Sequence, residues 1–428
     1  MAPEPTPAAK PARASTIGRV IQRHRLAVAA ALIIAVAGMA LRLLPCCGVP
    51  DRMTEDEYLY MANVVMLQKV GGPLEYQALI HYYVESQAKI EVVMLPPTRC
   101  VYIMLGWTWD ALFHSGVRMS LRYVAAGFSV LSFLLSGWFA YRLGGVRYGL
   151  VVGALMAVAP VELMLAHREL VDGVFAFWAL LTLWLLWENL QRPGRVTWLA
   201  AYGGAVAFMV LTKENAFFAA TGLMGIQGVA ALFPGLKLGK ATWSTLAATV
   251  AGGALGVLAL IGLAGGPEIL IQAYRLLVTK AELMTYAYQS GGGPWFRYVI
   301  DIMLASPAVL LPAIGGAFAL RRENRQGIFL LLFVLFSCVV MVNVRNGMNL
   351  RYATMWDMPL RYLAAGTILQ MAGAVRRAPV LATVALVALA GGVELHQYWL
   401  LFVRHDIGDP ITQYLIYATE IVRTGSPH

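Results

Sequence analysis

Long stretches of this chain carry no Asp, Glu, Lys or Arg: 26–41, 123–141, 196–212, 215–236, 241–267, 302–320, 326–344 and 378–393. A helix needs ~20 mostly apolar residues to cross a bilayer. In the hydrocarbon core only a helix or a closed barrel satisfies its own backbone, so runs of this length in series dictate a helical, multiply spanning chain. Weaker segments of the same kind are 148–166, which holds Glu162, 173–187, and 358–375, which Arg361 interrupts. The sequence therefore predicts an all-α polytopic membrane protein with about 11 transmembrane helices. Composition agrees. Apolar residues make up 59%, charged residues 13%, and mean hydropathy is +0.66, which excludes disordered, coiled-coil and small disulfide-scaffold classes.

The net charge of +10 is explained by where the basic residues fall. Lys10, Arg13, Arg19, Arg23 and Arg25 precede the first span, which places the N-terminus in the cytoplasm by the positive-inside rule. Alternating through the spans, the cytoplasmic connections then hold Arg142 and Arg147; Arg192 and Arg195; Lys237 and Lys240; Arg321, Arg322 and Arg325; Arg376 and Arg377. The basic balance is a topology signal, not a nucleic-acid footprint. The expected organisation is a basic, unstructured cytoplasmic tail (1–25), a membrane domain (26–395) and an extracytoplasmic tail (396–428). A large first extracytoplasmic loop, 45–118, carries interfacial helices, the apolar but short segment 100–113 among them. Cys46, Cys47, Cys100 and Cys338 have no metal-ligand spacing, and a pairing of Cys46 or Cys47 with Cys100 is left open.

This topology leaves only short turns in the cytoplasm. There is no G-x-x-x-x-G-K-S/T loop and no strand-borne G-x-G-x-x-G. Chemistry must use a substrate that reaches the outer face, most simply one carried on a lipid. The first loop opens with Thr54-Glu55-Asp56-Glu57. Adjacent carboxylates repel one another and raise a pKa, which suits a general base; the competing reading is a helix start with a Thr54–Glu57 capping box. Arg168 and Asp172 lie four residues apart, which suits an intrahelical ion pair. Lys213 sits between two spans on the outer side, against the positive-inside pattern, so it either holds a phosphate or snorkels. Gln289, Trp295, Arg297 and Tyr298 form an aromatic, Gly-rich approach to the eighth span. Arg345 and Arg351, interleaved with Asn343, Asn346 and Asn349, lie between the ninth and tenth. His81 and Glu85 share a helix face in the first loop and leave a divalent cation open as a cofactor.

In this order the motifs resemble the GT-C superfamily. The residues that carry the resemblance are Asp56-Glu57 after the first span, Pro96-Pro97, Ser120-Leu121-Arg122, Arg168 with Asp172, Leu211-Thr212-Lys213-Glu214, Gln289 through Tyr298, and Asn349-Leu350-Arg351-Tyr352. The branch most similar comprises bacterial relatives of protein O-mannosyltransferases and the lipid A aminoarabinose transferase, over residues 20–375. The resemblance implies a prokaryotic membrane enzyme. Such an enzyme would move a sugar from a polyprenyl-phosphate donor to a lipid, glycan or protein acceptor on the outer face, with inversion. It also implies a catalytic set of Asp56, Glu57 and Asp172, and a donor-phosphate set of Lys213, Arg351, Arg99, Arg168 and Arg345. The family's His or Lys directly before Pro-Pro is Leu95 here, and Arg99 is the cation available in its place. The alternative is a secondary transporter or lipid flippase, which the Pro-interrupted spans would suit. Transporters, however, place ionisable groups at the midplane, and the interiors of 215–236 and 241–267 are uncharged.

Overall fold

The computed structural model describes residues 13–45, 48–90, 94–281, 292–344 and 348–407. Among the described residues there are sixteen α-helices and no strand. α1 (Arg13–Leu43) leads into three helices that fill the first long connection: α2 (Glu55–Lys69), α3 (Tyr76–Lys89) and α4 (Cys100–Phe113). α5 (Val117–Ala157), α6 (Pro160–Ala166), α7 (Asp172–Gln191), α8 (Val196–Thr212), α9 (Ala216–Leu232), α10 (Trp243–Ala264) and α11 (Pro267–Ala281) follow. Then come α12 (Arg297–Ala305), α13 (Pro307–Phe318), α14 (Arg325–Met341), a 3-10 segment Leu350–Trp356, α15 (Asp357–Ala374) and α16 (Pro379–Tyr398).

Among the described residues, five stretches are long and apolar enough to cross a membrane: Arg25–Leu43, Val117–Ala157, Asp172–Gln191, Trp243–Ala264 and Pro379–Arg404. Shorter apolar helices lie at 196–212, 216–232, 307–318 and 325–341, matching the charge-poor runs of the sequence. Large apolar side chains point outward along α1 (Leu32, Ile33, Val36) and α16 (Val380, Leu381, Leu389). Exposed apolar faces of that extent call for lipid rather than water against them.

Local sequence explains the breaks. α5 is two arms, because Gly145 takes φ 77°, ψ −170°, a turn that a residue without Cβ adopts at little cost. The bend falls between Arg142 and Arg147, the charges that separate 123–141 from 148–166 in the sequence. The second arm stops before Pro160 and resumes as α6; the eighth span breaks in the same way between α12 and α13 at Pro307. α8 and α10 approach until a Cβ on Gly252 would collide with the Gly203 carbonyl, the close backbone contact that small residues allow between membrane helices. Tyr202 and Thr249 join the same two helices by a buried hydrogen bond of 3.0 Å, and Gln227 of α9 donates to Thr249 at 2.9 Å. The chain stays helical past residue 395, through Tyr398 and a π-turn to Arg404, and Asp406 returns to the end of the bundle where α1 terminates.

Candidate active site

The three acids that open α2 go three ways. Glu55 faces solvent. Glu57 is fully buried and closes the helix start: its Oε2 accepts from the Thr54 amide at 2.5 Å and from the Thr54 hydroxyl at 2.9 Å. Glu57 also accepts from Arg168 at 3.3 Å and from the Glu169 amide at 3.1 Å. Successive helix residues point about 100° apart, so Asp56 faces elsewhere. Its Oδ2 lies 2.9 Å from Arg351 Nη2, while its side chain stays 33% exposed. Partition among different partners, not mutual repulsion, accommodates the acidic triplet.

Arg351 reaches a second carboxylate, with Nη1 3.5 Å from Asp172 Oδ2. The other Asp172 oxygen holds Lys213 Nζ at 2.5 Å. Asn349 seats the arginine by accepting from its backbone amide at 2.9 Å, and Tyr298 accepts from the Asn349 amide at 3.4 Å. The Lys213 ammonium lies 4.2 Å from the centre of the Tyr352 ring, close enough for a cation–π attraction. Asp56, Arg351, Asp172 and Lys213 therefore form a line of alternating charge. It runs from a half-open carboxylate into the buried interior.

A second ion pair flanks this line. Arg99 grips both oxygens of Glu214, the residue after Lys213, and its guanidinium also donates to Tyr60 Oη. Tyr60 is one helical turn beyond Asp56 and shares its face of α2. Burial works against the charge on Arg99, but Glu214 and Tyr60 outweigh it and hold the guanidinium well above its usual value. Burial pushes Glu214 up, and Arg99 and Lys213 more than reverse this. For Lys213, burial wins over Asp172, so its ammonium titrates below the usual lysine value. On the other side of α2, burial and then the Glu57 carboxylate push Glu169 up to about 7, against Arg122 at 2.7 Å and Arg118 at 3.4 Å.

Asp56, Asp172, Lys213 and Arg351 thus meet, with Arg99 adjacent through Glu214. One sequence expectation is corrected and one is narrowed. Arg168 and Asp172 do not pair within a helix, because a turn separates α6 from α7; Arg168 instead binds Glu57, the Arg52 carbonyl and Asp406. Of the two readings left open for Lys213, snorkelling falls away, since the side chain is 2% exposed and paired with Asp172. Tyr298 lies behind Asn349 and supports the arginine loop. Arg297 turns to Asp301 of its own helix at 3.6 Å and to the Gly292 carbonyl at 2.7 Å. Trp295 is exposed, edge-on to Phe296, and takes no part in the ion-pair line. Gln289, Arg345, Cys46 and Cys47 lie outside the described residues, and Cys100 is a buried free thiol donating to the Leu211 carbonyl. Among the described residues no three His, Cys, Asp or Glu side chains stand together as a metal ligand set. Sequence reasoning missed Tyr60 and Glu214 as partners of Arg99; only the i, i+4 spacing of Asp56 and Tyr60 hinted at the former.

No protein-family model matches the chain, and no curated protein sequence does. Solved structures do. ArnT from Cupriavidus metallidurans in the apo state superposes with TM-score 0.52 at 15% identity, covering 90% of this chain and 76% of that one. The same protein bound to undecaprenyl phosphate gives 0.51 at 16%, covering 90% and 75%. The Archaeoglobus fulgidus oligosaccharyltransferase tethered to an acceptor peptide gives 0.57 at 15%, with 94% of this chain against 57% of that one. This chain therefore has the GT-C-like fold of a polytopic membrane protein. Those neighbours are GT-C glycosyltransferases.

Proposed function

We propose that this protein is an inverting glycosyltransferase that moves a sugar from a polyprenyl-phosphate donor to a hydroxyl or phosphate acceptor on a lipid, glycan or protein. The site faces the extracytoplasmic side of a prokaryotic cytoplasmic membrane. The observation that carries this reading is the Asp56–Arg351 contact of 2.9 Å at the open end of an otherwise buried charge line. One of the two groups is the base such a reaction needs, and the other is the cation.

In this mechanism the donor phosphate draws Arg351 away from Asp56, which frees the carboxylate at the moment the donor is seated. The acceptor oxygen attacks the anomeric carbon from the face opposite the phosphate and gives its proton to Asp56. The bond from the anomeric carbon to the phosphate oxygen breaks, and the lipid phosphate leaves with the electron pair. Negative charge then grows on that phosphate, where preorganised cations act most strongly in a water-poor site. Arg351 and Lys213 supply them, and Arg99 lies beside them. Asp172 holds both cations in place, and Glu57 and Arg168 fix the start of α2 so that Asp56 is correctly aimed.

The direct test gives purified protein in proteoliposomes a radiolabelled polyprenyl-phosphate sugar together with total envelope lipids. Label should move from the donor to an acceptor, with release of polyprenyl phosphate. An inert donor across polyprenyl-phosphate pentoses, hexoses and amino sugars would overturn the reading.

A further inference from the structure

A second charged cluster lies within the helices, apart from the site described above. Two arginines, Arg42 and Arg361, face three carboxylates, Glu162, Asp357 and Glu394, one acid more than there are cations. Arg361 pairs with Asp357 Oδ1 at 2.8 Å and with Glu394 at 3.0 Å. Arg42 directs its guanidinium to neutral oxygens: Ser129 Oγ at 3.0 Å and the carbonyls of Gly38, Met156 and Ala157 at 2.8–3.0 Å.

Between Glu162 and Asp357 is a cavity of about 10 Å³, room for a single water-sized particle. The polar side chains that line it all end in oxygen, those of Ser132, Ser136, Glu162, Thr354 and Asp357, and its other lining residues are Ala, Leu and Met. Glu162 Oε2, Asp357 Oδ2 and Ser132 Oγ are buried there without a hydrogen-bond partner, and Glu162 and Ser132 are each only 2% exposed. The Ser136 and Thr354 hydroxyls already donate to the carbonyls of Ser132 and Arg351 at 2.7 Å, which leaves their lone pairs as acceptors. A set of carboxylate and hydroxyl oxygens suits a hard cation. A water molecule would satisfy hydrogen bonds, but only a cation lets both carboxylates stay ionised in a low-dielectric interior.

We propose that this cavity binds one sodium ion, held by Glu162, Asp357 and the three hydroxyls. With all three carboxylates ionised, a monovalent ion balances the cluster, whereas a divalent ion would overshoot it. The ion ties α5 and α6 to the start of α15. That start follows directly on the 3-10 segment bearing Arg351, and the Thr354 hydroxyl bonds the Arg351 carbonyl. The site stands independently of the transferase reading.

The test uses the purified full-length protein in detergent at about pH 7.5, with sodium chloride against choline chloride at equal ionic strength. Wild type should bind radioactive sodium saturably, at about one ion per chain, and melt a few degrees higher in sodium. Glu162→Gln should lose both effects while it still folds. Ser132→Ala, a milder change, should weaken sodium affinity and carries the test if Glu162→Gln does not fold. Equal melting in the two salts without saturable sodium binding would overturn the proposal. So would stabilisation by acid alone, because a proton shared between Glu162 and Asp357 would then take the ion's place.

Discussion

Lys213 and Asp172 are each 2% exposed and 2.5 Å apart. Removing one partner of such a pair leaves a buried charge alone, a loss of roughly 3–5 kcal/mol. Lys213→Ala should therefore lower melting temperature as well as donor affinity. The double change Asp172→Asn with Lys213→Met should recover most of the stability but not the donor KM. Recovery of both would mean that the lysine serves the fold alone. Glu169 gives a separate test, through pH. An acid raised to about 7 in the fold from 4.5 keeps a proton that the unfolded chain releases. Its contribution is full below about pH 4.5 and is lost as pH rises through 7. The melting temperature of Glu169→Gln relative to wild type should then climb between about pH 5 and pH 8, whereas parallel curves would contradict the assignment.

Among elements, the α8–α10 contact is the most exacting. Gly252→Val should push the helices apart, because Gly203 backbone stands where the new Cβ must go. Overpacking of this kind costs about 1–3 kcal/mol. Gly253→Val is the control, since nothing lies within 4 Å of a Cβ there, and equal melting of the two variants would refute the close approach. Charge-free runs made the helices legible, since burial in lipid leaves no choice about backbone pairing. The acidic start of α2 was legible too, because Thr54 and Glu57 close it by local bonds. The partners were not. Asp56 meets Arg351 across 295 positions, and Arg168 meets Asp406 across 238, and no local spacing encodes such pairings. The turn between α6 and α7 likewise defeated the i, i+4 reading of Arg168 and Asp172, because that rule presumes an unbroken helix.

For the whole molecule, the proposed orientation puts residues 195 and 240 in the cytoplasm and residues 50 and 265 outside. Reporter fusions at these four points should sort into those pairs, and a reporter after residue 50 reading cytoplasmic would move the site to the wrong face. The charge line is meaningful only as part of such an oriented molecule, with its open end at Asp56 and its buried end at Lys213. The central claim is that Asp56 takes the acceptor proton. Turnover and thermal unfolding of purified Asp56→Asn with a polyprenyl-phosphate sugar test it most directly. A positioned base contributes ~10²–10⁴-fold in rate, so kcat should fall by about that factor while the melting temperature stays near wild type. Full turnover in the variant, whatever its stability, would contradict the account.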